Sequence, residues 1–291
     1  MGRPPETAER AVVLGPGGYV GTAWLAGLAQ GLRGRGLDLG GADLIVGTSA
    51  GSMVGAMLAT GQDFDRIATV PAEARPTGPG AANGAPGGTA GEVRQAVFAV
   101  LGDPALEPAE RRRRVGAIAA AQADPEAERD LVAQRAGLIG AAQWPTEPRL
   151  LIPAVDAAAG EPVVWDRDSR VPLARAVAAS SSFPGTAPPV TVDGRPHIDG
   201  ALRAGSNTDL AAGARTVVVL EPLAHQFADP GLEERLTAAG ARAVLIVGSE
   251  PPLDPAVRGP EVWAAAYQAG LAQSAAVAER LGGIWPAAAE S

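Results

Sequence analysis

The chain has 291 residues and a formal net charge of −8, with 46% apolar and 19% charged residues, a composition typical of a globular protein. It contains no cysteine and no lysine, so all 24 basic side chains are arginines, and it has only two histidines. These absences exclude thiol nucleophiles, thiolate and three-histidine metal sites, Schiff-base lysines and the P-loop lysine, and the acidic balance argues against nucleic acid as a partner.

The absence of lysine, together with many Ala, Gly, Pro and Arg residues, is typical of a GC-rich bacterial coding sequence. The first ten residues are polar and carry no apolar signal-peptide core. No uncharged apolar stretch reaches the roughly 18 residues of a membrane span. We therefore expect a cytoplasmic protein without a transmembrane segment, and peripheral contact with a membrane surface stays open.

The first sixty residues predict a parallel βαβ unit followed by a helix, and hence an α/β fold. Short apolar runs give the strands, glycines end them, and small apolar residues fill the second helix. The predicted elements are, in order, a strand at residues 11–14, a glycine loop at 15–21, a helix at 19–32, a strand at 43–46, a tight turn at 47–49 and a helix at 50–60.

The middle of the chain reads as an insertion, over residues 71–144, in an otherwise single domain of residues 1–291. Its first part, Pro71 to Gly91, is rich in Pro, Gly, Ala and Thr, which favours a flexible segment. Whether this segment acts as a lid stays open. Asp103-Pro104 and Asp124-Pro125 each offer an N-cap followed by proline and predict two helix starts.

The remaining chain alternates predicted strands and helices. Asp193-Gly194 predicts a hairpin turn between two short strands. Strands are expected at residues 150–154, 162–165, 190–192, 195–198, 216–220 and 243–247, and helices at residues 173–179, 232–239 and 261–281. The run Arg111–Arg114 follows Glu107 and Glu110 at a four-residue spacing, which favours a salt-bridged, solvated helix face over contact with anionic head groups.

Gly47-Thr-Ser-Ala-Gly51 is a G-x-S-x-G sequence placed between a predicted strand and a predicted helix. In a nucleophile elbow the turn is tight, so the neighbours of the serine must be small, and the serine oxygen lies at a helix N-terminus. Ser49 is therefore a candidate nucleophile, with a simple glycine-bounded N-cap turn as the alternative.

The Gly15–Gly21 loop admits two functions. Its G-x-x-G-x-x-G spacing is similar to a dinucleotide-binding loop, in which a pyrophosphate lies on the helix N-terminus. Alternatively, the N–H groups of Gly17 and Gly18 form an oxyanion hole for a substrate on Ser49. Both loops follow neighbouring parallel strands and open into one crevice, which favours the second function.

Three residues are candidates for the base that the serine needs. His225 follows a predicted strand and could complete a triad, while His197 more simply has a structural role. Asp199, beside Gly200, follows the second strand of the hairpin and can reach into a crevice, with a turn-forming role as the alternative.

Taken together, the Gly15 loop, the Gly47–Gly51 elbow and Asp199-Gly200 resemble, in order and spacing, the motifs of patatin-like phospholipases. Further stretches look like this family's approach to its catalytic aspartate: Ser180–Gly185, Pro188–Val190 and His197–Gly200. The similarity covers roughly residues 11–61 and 171–221.

The resemblance implies a three-layer α/β/α fold with a mostly parallel sheet and a hydrolase that cleaves carboxylic esters of lipids. Ser49 would be the nucleophile and Asp199 its base, with no histidine, cofactor or metal. The oxyanion would be held by the N–H groups of Gly17 and Gly18, with Gly15 and Ala50 completing the set. Since a free aspartate has a pKa of about 3.9, we expect either a dry site that raises this pKa or a rate that comes mostly from the oxyanion hole.

Four positions depart from, or extend, the family's pattern. Pro16 has no N–H to donate, Val20 replaces an arginine, and Ala201 replaces a second glycine. Asn207 lies where the family often has an asparagine, and either a loop-ordering role or an N-cap is expected. A dinucleotide-binding protein and a catalytically inactive scaffold remain the alternatives to the hydrolase.

Overall fold

The computed structural model describes residues 8–69, 89–227 and 229–285. Its strands and helices follow the predicted order closely. The strands are β1 Arg10–Leu14, β2 Leu44–Gly47, β3 Arg149–Asp156, β4 Pro162–Trp165, β5 Val190–Val192, β6 Arg195–Asp199, β7 Thr216–Glu221 and β8 Ala243–Gly248. The helices are α1 Gly18–Arg33, α2 Ala50–Ala59, α3 Thr89–Leu101, α4 Pro108–Ala120, α5 Pro125–Ile139, α6 Leu173–Ser180, α7 Ala201–Ala204, α8 Leu232–Ala238 and α9 Pro260–Leu281.

The eight strands form one sheet with the order β5-β6-β3-β2-β1-β7-β8, and β4 pairs with β3. The five strands β3, β2, β1, β7 and β8 are mutually parallel, while β4, β6 and β5 add antiparallel pairs. Helices cover both faces of this sheet, which confirms the predicted three-layer α/β/α fold with a mostly parallel sheet.

The apolar runs of the central strands arise because both faces of the sheet are buried. In β1, Val12 and Leu14 pack into the core beneath α1 and α2, while Ala11 and Val13 pack into the core beneath α8. Every one of these four side chains is fully buried. A parallel strand between two helical layers therefore has no polar face, as the sequence pattern indicated.

Helices α1 and α9 are in direct backbone contact through small residues. A Cβ atom at Gly27 of α1 would overlap the carbonyl group of Tyr267, and one at Gly270 of α9 would overlap that of Trp24. The two helices can approach this closely only because both positions are glycines. The position of α1 against the sheet is thus set partly by α9.

Helix α5, from the middle of the chain, packs onto the core. Leu131, Leu138 and Ile139 of α5 belong to the main hydrophobic core. The predicted N-cap of this helix is confirmed, because the Asp124 carboxylate accepts hydrogen bonds from the N–H groups of Glu126 and Ala127.

Two predictions for the insertion are wrong in detail. Asp103 forms an Asx turn with the N–H of Ala105 instead of capping a helix, and α4 begins only at Pro108. The expected flexible segment, residues 71–91, lies largely outside the described residues, but residues 89–91 already belong to α3. Whether this segment acts as a lid therefore concerns residues that the structure does not describe.

The arginine run of α4 is only partly paired as expected. Glu110 accepts from both Arg113 and Arg114 at 2.7 and 2.9 Å. Arg111 instead donates to the carbonyl oxygens of Asp103 and Leu106, because Glu107 is the N-cap residue of the helix. Within the described ranges, no helix is long and apolar enough to cross a membrane.

Candidate active site

The turn between β2 and α2 holds Ser49 in a strained conformation. Ser49 has a φ of 54° and a ψ of −114°, in a region that non-glycine residues rarely occupy. A Cβ at Gly51 would overlap the carbonyl group of Leu14, and one at Gly47 would lie 2.8 Å from the Cα of Ser52. The glycines therefore let the helix start directly on the sheet, which is the geometry of a nucleophile elbow.

Asp199 is the last residue of β6 and is 1% exposed. Its carboxylate Oδ1 accepts a hydrogen bond of 2.8 Å from the N–H of Ala201, and its own N–H donates to the carbonyl oxygen of Ser182. The predicted strand is thus one residue longer than expected and ends at the aspartate. The backbone orients this carboxylate without help from a charged partner in hydrogen-bond contact.

The structure brings Ser49 and Asp199 together in one cavity of about 560 Å³. The C-terminal end of α6 links the two loops that carry them. The hydroxyl of Ser180 accepts a hydrogen bond of 3.2 Å from the N–H of Ser49, and the Ser180 carbonyl oxygen accepts one from the N–H of Gly200. One residue of α6 therefore sets the spacing between the candidate nucleophile and the candidate base.

Burial raises the pKa of Asp199 to about 7, which is the dry environment that a carboxylate base requires. The N–H of Ala201, the Ser49 hydroxyl and the charge of Arg135 act in the opposite direction and lower it. Arg135 lines the same cavity and donates a hydrogen bond of 3.0 Å to the Ser181 hydroxyl, and burial lowers its own pKa to about 10. Near neutral pH the Asp199 carboxyl thus exchanges readily between its two protonation states.

The glycine loop presents free backbone donors to this cavity. Gly17 and Gly18 line it next to Ser49, and Gly18 has a φ of 56°. No described residue accepts a hydrogen bond from the N–H groups of Gly17, Gly18 or Ala50, which lie at the N-terminal ends of α1 and α2. Two helix N-termini thus offer unpaired N–H groups beside the serine.

The structure removes Gly15 from the predicted donor set. Its N–H donates a hydrogen bond of 2.9 Å to the carbonyl oxygen of Leu220, continuing the β1–β7 ladder past the end of β1. Pro16 lines the cavity, while Val20 of α1 is 1% exposed and packs into the core. The valine therefore contributes packing and no charge.

Asn207 is fully buried and has the loop-ordering role that was one of its two predicted roles. Its side-chain Nδ2 donates to the hydroxyl of Thr48 and to the carbonyl oxygens of Gly200 and Gly205, at 3.0, 3.1 and 3.0 Å. Although it stands at the N-cap position of a short 3₁₀ turn, its side chain makes no capping hydrogen bond. Asn207 thus connects the elbow directly to the loop after Asp199.

Neither histidine lies in the cavity. His225 is exposed and does not contribute to the cavity lining, so the structure excludes it as a triad member. His197 packs against Trp165 with ring centroids 5.0 Å apart, and its Nδ1 contacts the carbonyl oxygen of Arg195 at 2.9 Å. The structural role predicted for His197 is confirmed.

Several residues of the site were not identified from the sequence. Arg135 lies far along the chain in the insertion, and no motif surrounds it. Ser180 belongs to the Ser-Ser-Ser run that precedes the hairpin, and its polarity at the end of an apolar helix was the available signal. The described residues contain no group of three or more His, Asp or Glu side chains placed to hold a metal ion.

Comparison with known proteins gives one family match and several similar structures, among them two bacterial effectors. A family model described as patatin-like phospholipase matches residues 13–212. VipD from Legionella pneumophila is 12% identical with a TM-score of 0.45, and the alignment covers 94% of this chain and 67% of VipD. The type III effector ExoU is 16% identical with a TM-score of 0.37, and the alignment covers 95% of this chain and 54% of ExoU.

The chain thus spans about two thirds of the length of VipD and about half of the length of ExoU. No curated protein matches the chain. The family match covers more than half of the chain and includes the glycine loop, Ser49 and Asp199.

Proposed function

The chain belongs to the patatin-like phospholipase family, and from this premise we propose that it hydrolyses carboxylic esters of lipids with Ser49 as nucleophile and Asp199 as its base. Family membership supports lipid acyl hydrolysis as the general activity. The observation that carries the finer proposal is that one cavity holds the strained Ser49, the buried Asp199 and unpaired backbone donors.

In the first step, the Ser49 hydroxyl oxygen attacks the ester carbonyl carbon and its proton moves to the Asp199 carboxylate. The carbonyl oxygen becomes an oxyanion, and the N–H groups of Gly17, Gly18 and Ala50 are the donors that stabilise it. Loss of a single donor of this kind costs two to three orders of magnitude in kcat, or roughly 3–4 kcal/mol. Collapse of the intermediate then breaks the ester C–O bond.

The protonated Asp199 gives its proton to the departing alkoxide, which leaves as an alcohol. In the second step, the Asp199 carboxylate accepts a proton from a water molecule that attacks the acyl carbon, and the acid product departs from Ser49. A carboxyl with a pKa of about 7 can act in both directions near neutral pH, since neither protonation state is strongly favoured.

An acyl chain fits the apolar part of the cavity. Its apolar lining includes Met53 of α2, Leu131 and Leu138 of α5 and Trp263 of α9. Because each methylene transferred from water to such a lining gains about 0.8 kcal/mol, the lining favours esters with an alkyl chain over small polar esters. The cavity therefore supports a lipid ester as the substrate class.

The test is covalent labelling with a fluorophosphonate probe, followed by peptide mass mapping. The parent chain is compared with the Ser49→Ala and Asp199→Asn variants. Asp156→Asn is the matched control, because Asp156 is another buried aspartate of the same sheet but lies outside the cavity, where it pairs with Arg195 at 2.7 Å.

We expect the label on Ser49 in the parent and in the Asp156→Asn control, and strongly reduced labelling in the other two variants. Labelling that persists in Asp199→Asn at the parent rate would remove Asp199 as the base. A folded parent chain that takes no label would overturn the hydrolase, and the inactive scaffold or dinucleotide binding by the Gly15–Gly21 loop would replace it.

A further inference from the structure

Exposed large apolar side chains cluster at the opening of the active-site cavity. Among the described residues, the three such side chains are Phe98, Phe227 and Val257, which are 54%, 59% and 37% exposed. Phe98 and Phe227 line the cavity, and Val257 lies between two residues that also line it, Ala256 and Arg258. Large apolar groups that are costly to expose are thus placed around one opening.

The two phenylalanines also stand where a second cavity meets the first. This second cavity, of about 420 Å³, shares six lining residues with the cavity that holds Ser49, namely Pro16, Phe98, Phe183, Ala201, Leu223 and Phe227. Phe98 additionally packs on Phe183 with ring centroids 5.8 Å apart. The exposed rings are therefore at a junction between two concave spaces, where chains of a lipid can enter.

Two arginines lie beside these apolar groups. Arg94 of α3 and Arg258 line the same cavity, and neither forms an ion pair within 4.0 Å with any acidic group in the described part of the chain. Arg258 donates to the carbonyl oxygens of Pro255 and Val257 and lies over the Tyr19 ring at 5.6 Å.

The two positive charges are close enough to affect each other. Burial, together with the charge of Arg94, lowers the pKa of Arg258, while Tyr19 and the charge of Asp254 act in the opposite direction. In a chain with a net charge of −8, a pair of arginines that repel one another at a cavity opening is a local positive site. An anion above them would relieve this repulsion.

We propose that these five residues, Phe98, Phe227, Val257, Arg94 and Arg258, form a docking surface for an anionic phospholipid interface. The apolar side chains would enter the boundary between head groups and acyl chains, and the arginines would meet the phosphates. Docking in this orientation places the opening of the cavity directly on the lipid. The proposal rests on the proposed function, because docking would bring the lipid substrate to the cavity. Binding to vesicles can be measured without hydrolysis.

The expected effects on vesicle affinity follow from moving these side chains from water into the membrane interface. Removing two exposed phenyl rings that would enter the lipid interface is expected to reduce vesicle affinity by about tenfold or more. Each arginine near an anionic surface contributes about fivefold, and this contribution weakens with added salt. Removing the arginines is therefore expected to abolish the preference for anionic vesicles, while removing the rings lowers binding to every vesicle.

The experiment is co-sedimentation with vesicles of phosphatidylcholine alone and of phosphatidylcholine mixed with phosphatidylglycerol. All chains carry Ser49→Ala, so that hydrolysis does not change the vesicles. One variant adds Phe98→Ser and Phe227→Ser, and another adds Arg94→Gln and Arg258→Gln. The control adds Arg242→Gln, which removes one exposed charge at the opposite end of the sheet, where β8 begins.

The docking surface is supported if the parent prefers the anionic vesicles, the phenylalanine variant loses at least about tenfold in affinity and the control binds as the parent does. It is overturned if the parent binds no vesicle, or if the phenylalanine and arginine variants bind as the control does. Thermal unfolding of each variant shows that it is folded. Since labelling of Ser49 is measured separately, a failure of docking is distinct from a failure of the proposed function.

Discussion

The side-chain amide of Asn207 donates a hydrogen bond of 3.0 Å to the hydroxyl of Thr48, the residue immediately before Ser49. The same amide donates to the carbonyl oxygen of Gly200, the residue immediately after Asp199. A single fully buried side chain therefore joins the loops of the candidate nucleophile and the candidate base. Asn207 is a positioning residue for the pair, and it contacts neither reacting group.

Replacing Asn207 tests this connection. Asn207 has a φ of 58°, so Asn207→Gly keeps the backbone conformation while removing the side chain, and Asn207→Ala adds backbone strain of about 1 kcal/mol. Both variants lose the hydrogen bonds that the amide nitrogen shares among Thr48, Gly200 and Gly205 and the one that its oxygen accepts from Arg203. This loss is expected to lower the free energy of unfolding by about 2 kcal/mol and kcat by about tenfold or more. Steady-state kinetics on a soluble short-chain ester, with urea unfolding, measures both; an unchanged kcat in the glycine variant would contradict the positioning role.

The pH dependence of the reaction should report Asp199. Its pKa is raised to about 7, and only the ionised carboxylate can accept the Ser49 proton, so activity is lost as the pH falls below about 7. We expect kcat/KM to rise tenfold per pH unit below this value and to level off above it. Measurement of kcat/KM between about pH 3 and pH 9 checks this, and a limb near pH 4 would show that the base is an ordinary exposed carboxylate.

Replacing Arg135 should shift the acidic limb of the kcat/KM profile. Its positive charge lowers the pKa of Asp199, so Arg135→Gln is expected to raise this pKa further and shift the acidic limb of kcat/KM to higher pH. Arg129→Gln is the matched control, since Arg129 is an exposed arginine of the same helix. If both variants shift the limb equally, the effect comes from the overall charge of the chain and not from the cavity.

Asp199→Asn should make the protein more stable at alkaline pH. Because the folded pKa of Asp199 is raised above its unfolded value of about 3.8, the ionised carboxylate opposes folding, and this cost is complete only above about pH 7. The difference corresponds to up to about 4 kcal/mol, which shrinks to near zero as the pH falls toward 4. Urea unfolding of both chains at several pH values measures it, with Asp156→Asn expected to give no such gain because it loses the ion pair to Arg195.

The close packing at the elbow predicts that alanine substitution costs very different amounts of stability at two glycines of α2. A Cβ at Gly51 would overlap the backbone carbonyl of Leu14, which cannot move without distorting β1, so Gly51→Ala should cost about 3 kcal/mol or more. At Gly55 a Cβ would lie 3.2 Å from a methyl group of Ile45, which can adjust, and alanine favours the helix. Gly55→Ala should therefore change the unfolding free energy by less than about 1 kcal/mol, and equal losses in the two variants would refute the close contact.

Much of the fold follows from local patterns in the chain. The apolar runs that end in glycine became β1 and β2, and the Asp193-Gly194 signal became a hairpin in which both residues have positive φ. The G-x-S-x-G sequence was identifiable because tight strand–turn–helix junctions require small residues at fixed spacing. These features depend on neighbours within a few positions, which a sequence displays directly.

The features that were missed depend on distant neighbours. The Gly15 amide bonds to Leu220, about two hundred residues further on, so the loop alone could not show that this donor is occupied. Arg135 reaches Asp199 only because α5 packs beside α6, and Asp103 forms a turn because the following helix starts later than its proline suggested. Such details depend on tertiary packing and not on the local sequence alone.

The place of β1 in the sheet has a consequence for how this domain can be divided. The family match ends at residue 212, yet β1 pairs along its whole length with β7, which begins at Thr216. Without β7 and β8, β1 would become an edge strand with unpaired backbone groups next to the glycine loop. Without α9, the face of α1 that carries the contact glycine would lose its partner helix and become exposed to solvent. The matched stretch is thus not an independent folding unit, and a fragment that stops there should aggregate through β1.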